Sequence, residues 1–158
     1  MSAYDIYLFL HILGAFLIAA GGIMGEVLNT AMRRTTSARV MLALSSVGSR
    51  IPILTVSGAL LAIIFGSLLV MVVPYKFSAL WINISYTLWF VAMGLSAAVL
   101  GPAERNLHDL AKREVEAGRD DSPELQAAAR DPKIGVVTHI LSGLLIVFLY
   151  LMVFKPGS

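Results

Sequence analysis

The sequence predicts an all-α integral membrane protein: a bundle of four transmembrane helices, both termini outside, basic loops cytoplasmic. Three observations carry that expectation. The 158 residues are 58% apolar and only 14% charged, against about 45–50% and about 25% in a soluble domain. Four apolar runs, 4–28, 51–73, 80–100 and 132–154, each reach the roughly 20 residues a helix needs to cross a hydrocarbon core. The basic residues are segregated. Arg33, Arg34, Arg39 and Arg50 lie between spans one and two. Arg105, Lys112, Arg113, Arg119, Arg130 and Lys133 lie between spans three and four, leaving Lys76 and Lys155 opposite. That asymmetry assigns both basic loops to the cytoplasm.

Each element has its own justification. Span one has no basic n-region, and its apolar run exceeds a signal-peptide h-region, so it reads as a permanent helix. In the connection 36–50, Val40, Met41, Leu44, Val47 and Ile51 fall at helical spacing. This suits an interfacial helix, or an extension of span two kinked at Pro52. Pro74 closes span two. Span three opens at Trp81 and continues as a solvated helix over Glu104 to Ala117, within the helical connection 102–130, with Leu107, Leu110 and Ala111 on one stripe. Ser122-Pro123-Glu124 starts a short helix, 123–130. Asp131 caps span four, with Pro132 in its first turn. The whole chain, 1–158, reads as one transmembrane domain.

Composition excludes several functions. There is no cysteine, so no disulfide, thiolate metal site or cysteine nucleophile exists. A net charge of +2 is no footprint for nucleic acid. No catalytic constellation is legible.

Helices in lipid associate through small and polar residues. Span one offers His11, Ala15, Gly22, Gly25 and Asn29 at helical spacing, with Glu26 beside them and a Gly21/Gly25 pair. Span two offers Thr55, Gly58, Ala62 and Gly66. Span three offers Asn83, Thr87, Gly94 and Ala98, and span four offers His139, Ser142, Gly143 and Tyr150.

Ionisable groups inside a span are functional candidates by default. They are His11, Glu26 and His139, with Arg50 at a span end. Two polar levels are expected: His11, Asn83 and Tyr150 toward the outside, and Glu26, Asn29, Arg50, Thr55 and His139 toward the cytoplasm. Either histidine suits haem iron as an axial ligand. A single haem held between both is disfavoured, because helix rise separates them in depth by roughly 10 Å. Each also reads as a hydrogen-bonded packing histidine, its second nitrogen satisfied by a Ser, Tyr or carbonyl. Glu26 with Arg50 or His139 reads as a proton or ion-pair site, or as a pair at the helix ends facing headgroups. His108 reads as solvated.

The segment Tyr7-Leu8-Phe9-Leu10-His11-Ile12-Leu13-Gly14-Ala15, the following Gly21-Gly22, the Trp81 opening of span three and the ending Tyr150-Leu151-Met152-Val153-Phe154-Lys155-Pro156 resemble a family of small four-helix bacterial integral membrane proteins of unassigned function. The resemblance implies a multi-pass protein of the bacterial inner membrane. More distantly, the layout is similar to HemJ-type protoporphyrinogen oxidases and CopD-like membrane proteins. That similarity implies haem b, with His11 as the residue that carries across. Tyr7-Leu8-Phe9-Leu10 stands where the HemJ-type family has Trp-x-Lys.

Three functions compete at this level. The first is a haem-b-associated component of a membrane redox complex, with a quinone or redox protein as partner. The second is a non-catalytic or assembly subunit among other membrane subunits. The third is a small proton-coupled transporter using Glu26.

Overall fold

The computed structural model describes residues 2–157 and is helical nearly throughout. The seven helices are α1 (Ala3–Arg34), α2 (Ala38–Gly48), α3 (Ile51–Val72), α4 (Leu80–Leu95), α5 (Gly101–Glu116), α6 (Pro123–Ala129) and α7 (Pro132–Phe154). A π-helical turn, Ser96–Leu100, joins α4 to α5. Four helical stretches are long and apolar enough to cross a membrane, as the hydropathy pattern predicts.

The helix starts follow local chemistry. Ser2 and Asp5 form a reciprocal capping box on α1. The Asp131 carboxylate accepts from the Lys133 backbone N–H at 2.8 Å, capping α7 as expected. Ser122 caps α6 through the Leu125 N–H. At the other end of α7, Lys155 terminates the helix in the left-handed region, and its Nζ donates to the Tyr75 hydroxyl at 2.9 Å.

One boundary differs from the sequence reading, and one of its two alternatives for the first connection is selected. Helix α1 does not end near Leu28 but continues to Arg34. Residues 38–48 form a separate helix that turns at Ser49 and Arg50 into α3. Pro52 sits in the first turn of α3, where its missing N–H has no partner to lose, so it starts a helix rather than kinking one.

Helices α1 and α3 run antiparallel and make the most intimate contact of the fold. A side-chain carbon added to Gly14 would lie 2.6 Å from the Ala62 nitrogen and 2.7 Å from the Gly58 carbonyl oxygen. Only glycines allow so close an approach. Gly21 meets Thr55 one step further along. The expected Gly21/Gly25 face is therefore replaced by Gly14 and Gly21, since Gly25 has nothing within reach. Helix α4 joins α3 through side chains: the Trp89 Nε1–H donates to the Ala59 carbonyl at 3.3 Å, and Ser67 pairs with Tyr86.

Buried apolar residues gather at the two ends of the bundle. Near the chain ends, Val70, Trp81, Ile82 and Leu151 form one cluster, with Tyr75 edge-on to Trp81. At the basic end, Met32, Ala38, Met41, Leu107, Ala111, Leu125 and Ala129 from α1, α2, α5 and α6 form a second core. Its type is that of a water-soluble domain, stabilised by removing apolar surface from water. Polar clasps close it. Asp120 accepts from the Ser37 hydroxyl at 2.9 Å and the Arg39 N–H at 3.2 Å, capping α2 from the α5–α6 loop. Arg119 grips the Glu114 carboxylate through two donors, at 2.7 and 3.0 Å. Between the ends, outward residues such as Phe9, Ile12, Phe16, Ile23 and Val27 are exposed, as a lipid-facing surface requires.

Candidate functional site

The structure separates the two span histidines completely. His11 sits on the α1 face turned to α3, with its ring against Gly66. A carbon added to Gly66 would fall 2.9 Å from Nδ1. Nδ1 lies 2.8 Å from the Ala62 carbonyl oxygen. A carbonyl only accepts, so Nδ1 carries the proton. In the neutral imidazole the lone pair then sits on Nε2, which makes no hydrogen bond to a described residue. Ala62 and Gly66 thus lock both the tautomer and the ring plane.

His139 belongs to the other end of α1. Its Nδ1 donates to the Gly135 carbonyl one turn earlier, at 2.6 Å, and its Nε2 faces the Glu26 carboxylate at 3.9 Å. Glu26 and His11 are fifteen positions apart on one helix, a rise of about 22 Å. The separation in depth is about twice the sequence estimate. That separation exceeds the span over which two imidazoles can share one porphyrin iron.

Around Glu26 and His139 the gap between α1 and α7 opens into a groove. Its two adjoining hollows measure about 550 and 460 Å³. One is walled by Pro132, Val136 and Ile140, the other by Glu26, Asn29, Thr30 and Arg34; Arg33, Gly135 and His139 border both. Glu26, Asn29, Thr30 and Arg33 recur at helical spacing, so the continuation of α1 to Arg34 is what brings Arg33 into the site. Gly135 gives the guanidinium its place: a carbon added there would lie 3.1 Å from Arg33 Nη1.

The other candidates lie elsewhere. Arg50 is the N-cap residue of α3 and does not line the groove. Of the two partners considered for Glu26, the structure brings up His139. The Thr55 hydroxyl donates to the Ile51 carbonyl of its own helix. Asn83 donates to the Phe77 and Ala79 carbonyls, and Tyr150 packs on Phe154, so neither joins His11. His108 is half-buried rather than fully solvated: its Nδ1 bonds the Ser45 hydroxyl at 3.0 Å, tying α5 to α2. Among the described residues, no three His, Cys, Asp or Glu side chains converge as a metal-ion site.

Comparison with protein-family models matches residues 5–156 to the family described as predicted integral membrane protein (DUF2269). No curated protein and no solved structure matches the chain, so the likeness to HemJ-type and CopD-like proteins is not shown.

Proposed function

The chain belongs to this family of predicted integral membrane proteins, and we propose that it is a haem-b-associated component of a membrane redox system, with His11 as the axial donor. One observation carries this reading: the Nδ1–H of His11 is held by the Ala62 carbonyl while Nε2 is left with a free lone pair. Histidine ligands of metals characteristically donate their second N–H to a carbonyl or carboxylate, which fixes the ring and raises its basicity. The donor chemistry of His11 fits. His139 shares the tautomer, but its Nε2 is turned to Glu26.

A bound haem supplies one-electron chemistry at a potential set by its ligand and the surrounding dielectric. The protein's part is to hold the imidazole. Ala62 fixes its tautomer and Gly66 admits its ring at the α1–α3 contact. A pyridine haemochrome assay on protein from haem-sufficient cells tests the reading. It should give about one haem per chain, and His11→Ala should abolish it. A haem-free wild type ends the proposal.

A second reading, a subunit of a larger membrane complex, is favoured by a different observation. Gly25, Gly94 and Gly143 have nothing within 4 Å of an added carbon. Small residues on open faces are where a neighbouring helix packs in lipid. Purification in mild detergent should then yield a co-purifying membrane partner, and a lone monomer speaks against it.

A further inference from the structure

The α1–α7 groove has a chemistry that the haem reading does not use. Its walls are divided. Arg33, Arg34, Asn29 and Thr30 border one half, and Pro132, Val136 and Ile140 border the other. Val136 and Ile140 are 58% and 45% exposed, so the apolar wall is open to what surrounds the protein. Neither Arg33 nor Arg34 forms an ion pair with a described residue. Glu26, the one carboxylate lining the groove, faces His139 instead. The polar half therefore sets two guanidinium groups, neither in an ion pair, against one carboxylate, and is net positive. Guanidinium is the side chain best shaped to grip phosphate oxygens in pairs.

We propose that this groove binds an anionic phospholipid, its phosphate held by Arg33 and Arg34 and an acyl chain lying along Val136 and Ile140. Charge complementarity names the headgroup, and the apolar wall names the chain. The position agrees with both, because the guanidinium groups sit at the basic end of a membrane helix, where headgroups of that leaflet lie. Gly135 is the positioning residue: its lack of a side chain lets Arg33 lie against α7. The proposal is independent of His11, which is about 33 Å from Arg33 along α1.

The test is spin-label EPR on the protein in phosphatidylcholine bilayers doped with spin-labelled phosphatidylglycerol or phosphatidylcholine. Wild type should immobilise the phosphatidylglycerol label preferentially. Arg33→Gln should cut that preference about fivefold, the effect of one interfacial cation. Arg33→Lys, a milder variant should the first not fold, should lose less in the same direction. Val136→Gln should weaken retention through the chain-bearing wall. Arg50→Gln, on the same basic end but outside the groove, should change little. An equal loss in Arg50→Gln would assign the preference to the general basic field and overturn the site. Displacement of the label by inorganic phosphate at matched ionic strength would show a phosphate site without a lipid and overturn it too. So would an unchanged preference in Arg33→Gln.

Discussion

Gly14 and Gly58 face each other so closely that neither tolerates a side chain: a carbon on either would lie 2.7 Å from the other's carbonyl oxygen. The obstacle is backbone, which does not rotate away as a side chain does. Helices α1 and α3 are thereby fixed in the register that places His11 against Ala62 and Gly66. The ligand-holding geometry is a consequence of glycine positions one and two turns away.

Gly58→Leu should therefore destabilise the fold by about 1–3 kcal/mol or more, the usual cost of overpacking. Gly143→Leu, at a position with nothing within 4 Å, should be nearly neutral. Thermal unfolding in detergent, followed by helical circular dichroism, compares them. Equal midpoints would show that α1 and α3 are not in this contact.

The tautomer of His11 is a separate expectation. A solvated neutral histidine side chain favours the proton on Nε2, whereas the Ala62 carbonyl requires it on Nδ1. Nitrogen-15 NMR of ligand-free protein should report Nδ1–H for His11. An Nε2–H signal would remove the basis for a free donor.

The clasps of the basic-end core should loosen in acid. The Arg119 guanidinium holds the Glu114 carboxyl below its ordinary range, and hydrogen bonds from Ser37 and the Arg39 backbone do the same for Asp120. A carboxylate with a depressed folded-state pKa adds stability that is present above its unfolded value, about 4, and is lost as pH falls through the folded value. Amide exchange in α2 and α6 should thus accelerate below about pH 4, beyond the intrinsic pH effect. The Glu114→Gln/Asp120→Asn double variant should already exchange faster at neutral pH and show little further acid response. Identical profiles for variant and wild type would refute the clasp.

The four membrane helices were legible because lipid imposes a length and a composition that each apolar run meets on its own. The caps at Ser122 and Asp131 were legible because they are local. What was hidden is relational. Gly14, Gly21, Gly22 and Gly25 occupy neighbouring stripes of one helix, and spacing alone does not say which stripe α3 takes and which α7 takes. Arg33 was passed over because hydropathy ends span one near Leu28, although Glu26, Asn29 and Arg33 already recur at helical spacing. The Asp120 cap on α2 joins residues 83 positions apart, beyond any local signal. Glu26 had two candidate neighbours in the sequence, and the α1–α7 contact, which spacing within one helix does not reveal, is what puts His139 beside it.

The most direct measurement is the visible absorption spectrum of protein purified from haem-sufficient cells, recorded for wild type, His11→Ala and His139→Ala. The account predicts a Soret band in wild type that His139→Ala retains and His11→Ala loses, with all three proteins equally helical. A wild type without a Soret band, or a band that survives in His11→Ala, would contradict it.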